Sequence, residues 1–138
     1  MEIYKSEGYV DVKYNEELKS LLVNWKFFGN EVRNSCQAQL DFIKTNEVKS
    51  IIVDTSEATG IVKASDQIWF YNYLFPEFEK NGIETIVTIT SKDALTRLSN
   101  KTWSNTGKSF AIKFIETPSV ESAISKLKKY IHNLAVVL

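Results

Sequence analysis

An α/β fold is predicted for this chain: a mixed, mostly parallel sheet of about five strands with helices packed on it, in the order β-β-β-α-β-α-β-α-β-α. Three observations predict it. Strand-like runs alternate with segments of helical periodicity, which implies crossover units and parallel pairing. The run Ile51-Ile52-Val53 is apolar without alternation, as a strand covered on both faces requires. The length of 138 residues, with 43% hydrophobic and 25% charged, suits a single domain over residues 1–138 with a full core of its own.

The elements follow in chain order. Ile3–Ser6 is a weak strand. Tyr9–Tyr14 alternates, with Val10, Val12 and Tyr14 on one face, and Leu21–Trp25 is its hairpin partner across the turn at Asn15-Glu16-Glu17. A helix spans about residues 30–45, where Val32, Cys36, Leu40 and Ile43 make one apolar stripe and Asn30 serves as the cap. Val48–Asp54 is the central strand. A connection without periodicity, residues 55–64, leads to a helix over 66–80 capped by Ser65-Asp66 and ended by Asn81-Gly82, where Gly82 is free to take the left-handed conformation. Ile83–Thr90 is the next strand. Ser91 caps a helix over 92–103 with Leu95 and Leu98 inward, and Ser104–Lys108 is a turn. Phe110–Ile115 is the last strand. Thr117-Pro118 opens the last helix with proline at its first position, and Val120, Ile124, Leu127 and Ile131 form its stripe, with an apolar tail at Leu134–Leu138.

Composition excludes several classes of function. Seventeen basic residues balance seventeen acidic ones, which argues against broad electrostatic binding to nucleic acid. The local group Lys126, Lys128 and Lys129 reads as a solvated helix face. A lone cysteine rules out an intrachain disulfide, the N-terminus lacks a signal-peptide pattern, and no apolar run is long enough for an integral membrane segment. The expectation is a cytoplasmic protein. His132 is the only histidine and Cys36 lies in an apolar stripe, so neither suggests a nucleophile or a metal ligand, and no glycine-rich phosphate loop is present. No cofactor and no catalytic residue are predicted. Asp54, Glu57 and Asp66 are expected to converge near the C-terminal edge of the sheet, a faint signal for acid–base chemistry.

The most informative segment runs from Trp69 to Phe78, where Trp69, Phe70, Tyr71, Tyr73, Phe75 and Phe78 are aromatic. At 100° per residue, Ile68, Tyr71, Leu74, Phe75 and Phe78 share one face and are expected on the sheet. Trp69 and Tyr73, with Phe70 beside them, form a second patch that cannot share those contacts. Pro76 lacks an N–H and is expected to kink the helix by clashing with the carbonyl of Asn72. The second patch is covered by the chain itself, by a ligand, or by a protein partner or second copy in a homodimer; exposed apolar patches mark interaction sites. The 55–64 loop leaves the C-terminal end of the central strand, where open α/β sheets bind ligands. Gly60 is its candidate hinge, with Ile61 and Val62 its candidate cover.

Several of these features together carry a resemblance: Asn24-Trp25, Ile51-Ile52-Val53-Asp54-Thr55, Thr59-Gly60-Ile61, Ser65-Asp66-Gln67-Ile68-Trp69, Phe75-Pro76, Phe110-Ala111-Ile112-Lys113-Phe114 and Val120-Glu121-Ser122-Ala123. In these the chain resembles the SpoIIAA-like family, within the STAS and CRAL-TRIO-like group of folds, over about Tyr9 to Leu127. The resemblance implies no catalytic reaction. It implies an apolar small molecule or lipid as ligand, with transient membrane contact through mobile helices near the aromatic segment. In regulatory STAS domains a serine or threonine at the start of the corresponding helix is phosphorylated; the matching stretch here is Val62-Lys63-Ala64-Ser65-Asp66, and it lacks the glycine and paired serines of that motif. Only Ser65 stands as a phosphorylation candidate, in a protein-interaction regulator. The expected ligand-binding residues are Trp69, Phe70, Tyr73, Ile61 and Val62, with Thr55, Thr59 and Tyr71 supplying polar groups.

Overall fold

The alternating valines of the first hairpin, Val10 and Val12, are buried on one face of the sheet. In the computed structural model, which describes residues 1–137 and side chains through Lys129, β2 (Val10–Asn15) and β3 (Ser20–Trp25) pair antiparallel from Val10 opposite Trp25 to Asn15 opposite Ser20. β1 (Glu2–Ser6) joins β2 as the antiparallel edge. β4 (Ser50–Asp54), β5 (Thr85–Ile89) and β6 (Lys113–Thr117) then extend β3 in parallel, giving a six-stranded sheet in the order β1-β2-β3-β4-β5-β6. The α/β class is as predicted, and the sheet takes up all six strands of the predicted element order, the weak first strand included, against an expected count of about five. The readings on His132 and on Leu134–Leu138 lie outside the described side chains.

Each parallel crossover moves one strand further in the same direction. Right-handed connections therefore place α1 (Val32–Thr45), α2 (Ala64–Trp69), α3 (Phe75–Lys80) and α4 (Ala94–Gly107) on one face of the sheet, leaving α5 (Val120–Val137) for the other. The core divides accordingly. Ile51 and Ile86 point into the larger cluster with Leu40, Phe70, Leu74 and Phe78, whereas Ile52, Val87 and Ile89 meet Ala123 and Leu127 of α5. The Ile51-Ile52-Val53 run thus serves both faces, and the predicted stripe Val32, Cys36, Leu40, Ile43 is buried as a unit. No described helix is long and apolar enough to cross a membrane.

Four boundaries differ from the expectation, each for a local reason. Asn30 does not cap α1; Glu31 holds the N-cap position, and Asn30 accepts a hydrogen bond from Lys63. α4 begins after Asp93, whose carboxylate accepts from the Thr96 amide and hydroxyl, while Ser91 accepts from the Asp93 amide one step earlier. It continues through Ser104 to Gly107, so the predicted turn is helical and β6 starts later, at Lys113. α5 starts at Val120, with the Ser119 hydroxyl accepting from the Ser122 amide, which leaves Pro118 outside the first helical turn.

The largest correction concerns α4. Leu95 and Leu98 point outward, 61% and 63% exposed, while Thr96, Ser99, Asn100, Trp103, Ser104 and Gly107 face inward. Polar anchors explain the inversion. Thr96 donates to the Gly60 carbonyl at 2.6 Å, Ser99 accepts from the Val62 amide, and the Asn100 carbonyl oxygen accepts from the Ser91 amide. The Trp103 indole donates to Thr88 in the sheet. These contacts tie α4 to the β4–α2 connection and to the sheet, and the leucines are left over.

Candidate functional site

The aromatic segment is one continuous helical rod with a wide turn in its middle. Residues Phe70–Leu74 form a π turn between α2 and α3, and the Phe75 amide donates to the Phe70 carbonyl five residues back. Proline at 76 offers no N–H to continue an α ladder, so the wider turn directly precedes it. The extra residue re-phases the wheel. The buried row is Gln67, Phe70, Leu74 and Phe78 with Phe75 beside it, whereas Ile68 and Tyr71 are 60% and 50% exposed. Phe70 therefore belongs to the core rather than to the second patch, and Ile68 and Tyr71 leave the core face predicted for them.

Trp69 and Tyr73 are partly buried and stack on each other at 5.4 Å between ring centroids. Arg33 of α1 lies over the indole, its guanidinium carbon 5.5 Å from the ring centroid. Its Nε donates to Asp66 at 2.7 Å and its Nη2 donates to the Ser65 carbonyl. One arginine thus fastens the start of α2 to the start of α1. Lys63 occupies the N-cap of α2 and no side chain caps it, so Ser65 is not the cap; it sits exposed in the first turn.

Beneath this rod lies an apolar cavity of about 50 Å³. Its floor is Val23, Trp25, Ile51, Val53, Ile86 and Phe114 of the sheet; its roof is Val32, Cys36 and Gln39 of α1 with Phe70, Leu74, Phe75 and Phe78 of the rod. Phe28, Val62 and Trp103 close the sides. Gln39 brings the only side-chain amide to this wall, and that amide donates to Ser35. Burial pushes the Cys36 thiol up to about 12, with the Asp66 carboxylate adding in the same direction, so it is held protonated and unreactive.

The structure brings Val62 and Phe70 of the predicted set to the cavity wall and leaves the others elsewhere. Trp69 and Tyr73 lie against α1. Ile61 points to solvent, and Tyr71 packs edge-on against Phe110 at 5.6 Å. Thr55 is buried at the end of β4, donating to the Ile89 carbonyl at 2.6 Å. Thr59 extends a bridge to Phe27, its amide donating to the Lys26 carbonyl. The 55–64 loop is pinned from both sides rather than hinged. Gly60 has φ of 87°, and a Cβ there would come within 3.1 Å of the Phe28 carbonyl, so the position requires glycine. The weak carboxylate signal dissolves: Asp54 accepts from Ser56, Glu57 pairs with Lys92, and Asp66 pairs with Arg33.

Sequence reasoning missed Trp25, Phe28 and Trp103 as lining residues. Trp25 was legible, since strand alternation from Val23 places it on the valine face; Trp103 was hidden by the inverted helix. No protein-family model matches the chain, and no curated protein matches it.

Proposed function

We propose that this domain is a non-enzymatic binder of an apolar small molecule or lipid chain, held between the sheet and the aromatic rod. The observation that supports the reading is the cavity wall, made almost wholly of hydrocarbon and ring edges with the Gln39 amide as its polar point, the usual make-up of a small-molecule site. At about 50 Å³ the cavity is larger than one water's share of volume, roughly 30 Å³, and smaller than the roughly 150 Å³ that admits benzene. Binding therefore requires the roof to lift. The π turn is the point where the α ladder of the roof is interrupted, and such turns are rare and frequent at functional sites. The Arg33–Asp66 pair and the indole beneath it act as the latch at its edge.

The test uses Trp69→Phe, so that fluorescence arises from Trp25 and Trp103 at the wall. Titration with decanoate and with small aromatic hydrocarbons is expected to shift that emission, and native mass spectrometry to show one bound molecule per chain. Val62→Phe, which fills the cavity from its side, is expected to abolish the response at an unchanged fold. Absence of any shift across the probes, or an equal response from the filled variant, would refute the proposal.

A further inference from the structure

Outside the cavity, the structure leaves two apolar lines side by side. Thr96 bonds Gly60, Ser99 bonds Val62, and Thr106 and Ser109 share a groove with Gln67, Ile68 and Tyr71, so α4 and the α2 rod advance in the same direction. The rod presents Ile68 and Tyr71 outward, with Ile61 exposed in the connection before it; α4 presents Leu95 and Leu98, and Thr102 and Thr106 continue its line at helical spacing. At the far end of α4 a groove of about 350 Å³ opens between them, lined by Gln67, Ile68, Tyr71, Thr106 and Ser109, and the Leu95–Leu98 ridge leads to it. A helix that turns serine, threonine and asparagine inward and leucine outward gains nothing in its own fold from those leucines.

The charge of this face is one-sided although the chain is neutral. From Ala94 to Ile112 the sequence contains Arg97, Lys101 and Lys108 and no acid, and Lys63 stands at the start of the rod. The neighbouring acids are spent: Asp66 on Arg33, Asp93 on the α4 N-terminus, Glu57 on Lys92 and Glu79 on the Ala111 amide. We propose that the cleft between α2 and α4 docks an acidic amphipathic helical segment of another protein. A helix laid along two parallel ridges fills the groove with its apolar side chains and sets its acids against the flanking cations. A flat lipid surface would meet the ridges and leave the groove between them empty. Two copies meeting face to face about a twofold axis would set the cations of one α4 against those of the other.

The experiment selects a displayed random peptide library of about 15 residues, a length that spans roughly 22 Å as a helix, on the immobilised full chain. Affinities of the enriched peptides are then measured by fluorescence anisotropy. The expected consensus has apolar residues three and four apart flanked by acids, with binding that weakens as salt rises. The double variant L95S/L98S, whose exposed positions leave thermal stability unchanged, is expected to lose about tenfold or more in affinity; R97Q/K101Q is expected to weaken binding and flatten its salt dependence. Failure to enrich, enriched peptides without acids, or undiminished binding by L95S/L98S overturns the proposal. So does binding of phosphatidylglycerol vesicles through the same leucines without peptide binding, or a dimer in sedimentation that L95S/L98S dissolves.

Discussion

Arg33 is the residue on which the aromatic rod depends most directly. Its guanidinium reaches a carboxylate, a carbonyl and a ring face at once, a combination that suits the planar fork of arginine and not the point charge of lysine. Asp66 is the partner at risk, with its side chain 10% exposed against 49% for Arg33. Removing the arginine leaves a nearly buried carboxylate without its ion partner, while water can reach the space it vacates. Arg33→Ala is therefore expected to destabilise the fold by about 1–2 kcal/mol, between the value of a surface pair and the cost of breaking a fully buried one. Arg33→Lys should recover less than half of that loss, and Arg33→Ala with Asp66→Asn should be more stable than Arg33→Ala alone. Urea unfolding of the four proteins checks the order; equal midpoints for wild type and Arg33→Ala would remove the latch from the description.

At the scale of elements, the wide turn in the rod behaves as one residue inserted into an α-helix. Deleting Asn72, which is exposed, would bring Phe70, Leu74, Phe75 and Phe78 to spacings of three, four and seven, the stripe of an ordinary amphipathic helix. The shortened chain is expected to keep its near-ultraviolet circular dichroism and lose only a few degrees in Tm. Deleting Gln37 from α1 instead rotates Leu40 and Ile43 away from Val32 and Cys36 and should prevent folding. Comparison of the two thermal melts decides whether the π turn is a tolerated insertion or a required part of the rod. The same two helices show what the sequence made legible. The order of elements along the chain, the α1 stripe and the two-faced strand β4 were readable because a single periodicity governs each. The faces of the rod were not, because a wheel of fixed pitch cannot anticipate a π turn. Nor was α4, because its orientation is set by hydrogen bonds to Gly60, Val62 and Thr88, contacts distant in sequence. The candidate site inherited both errors: Phe70 is expected there from the wrong helix face, and Trp103 is overlooked, whereas Val62, expected as loop cover, closes one side of the cavity.

Across the whole molecule, α1 couples the sheet edge to the cavity, and its N-terminal end holds two groups in their neutral forms. Tyr4 of β1 donates its hydroxyl to Glu31 at the N-cap of α1, and that hydrogen bond, followed by burial and by the Glu31 charge, raises its pKa from 10.0 to about 12. Cys36, one turn into the helix, is raised from 9.0 to about 12 by burial first and the Asp66 charge second. Both groups lose a proton to become anions, and both hold it more tightly in the folded chain. Between the unfolded and folded values the native state therefore binds more protons, and stability falls as pH rises. The contribution is fully present below about pH 9 and is lost progressively from about pH 9 to 12 for Cys36 and from about pH 10 to 12 for Tyr4. Chemical unfolding at a series of pH values is expected to show this alkaline decline. Cys36→Ala should flatten its first part and Tyr4→Phe its later part, with the double variant flattest of all. Because both titrations act on one helix, the decline should be accompanied by exposure of the cavity: a thiol reagent that leaves Cys36 untouched at pH 8 should modify it at a rate that follows the fraction unfolded. Modification at pH 8 in the folded protein, or an alkaline limb unchanged in both single variants, would show that α1 does not hold these groups as described.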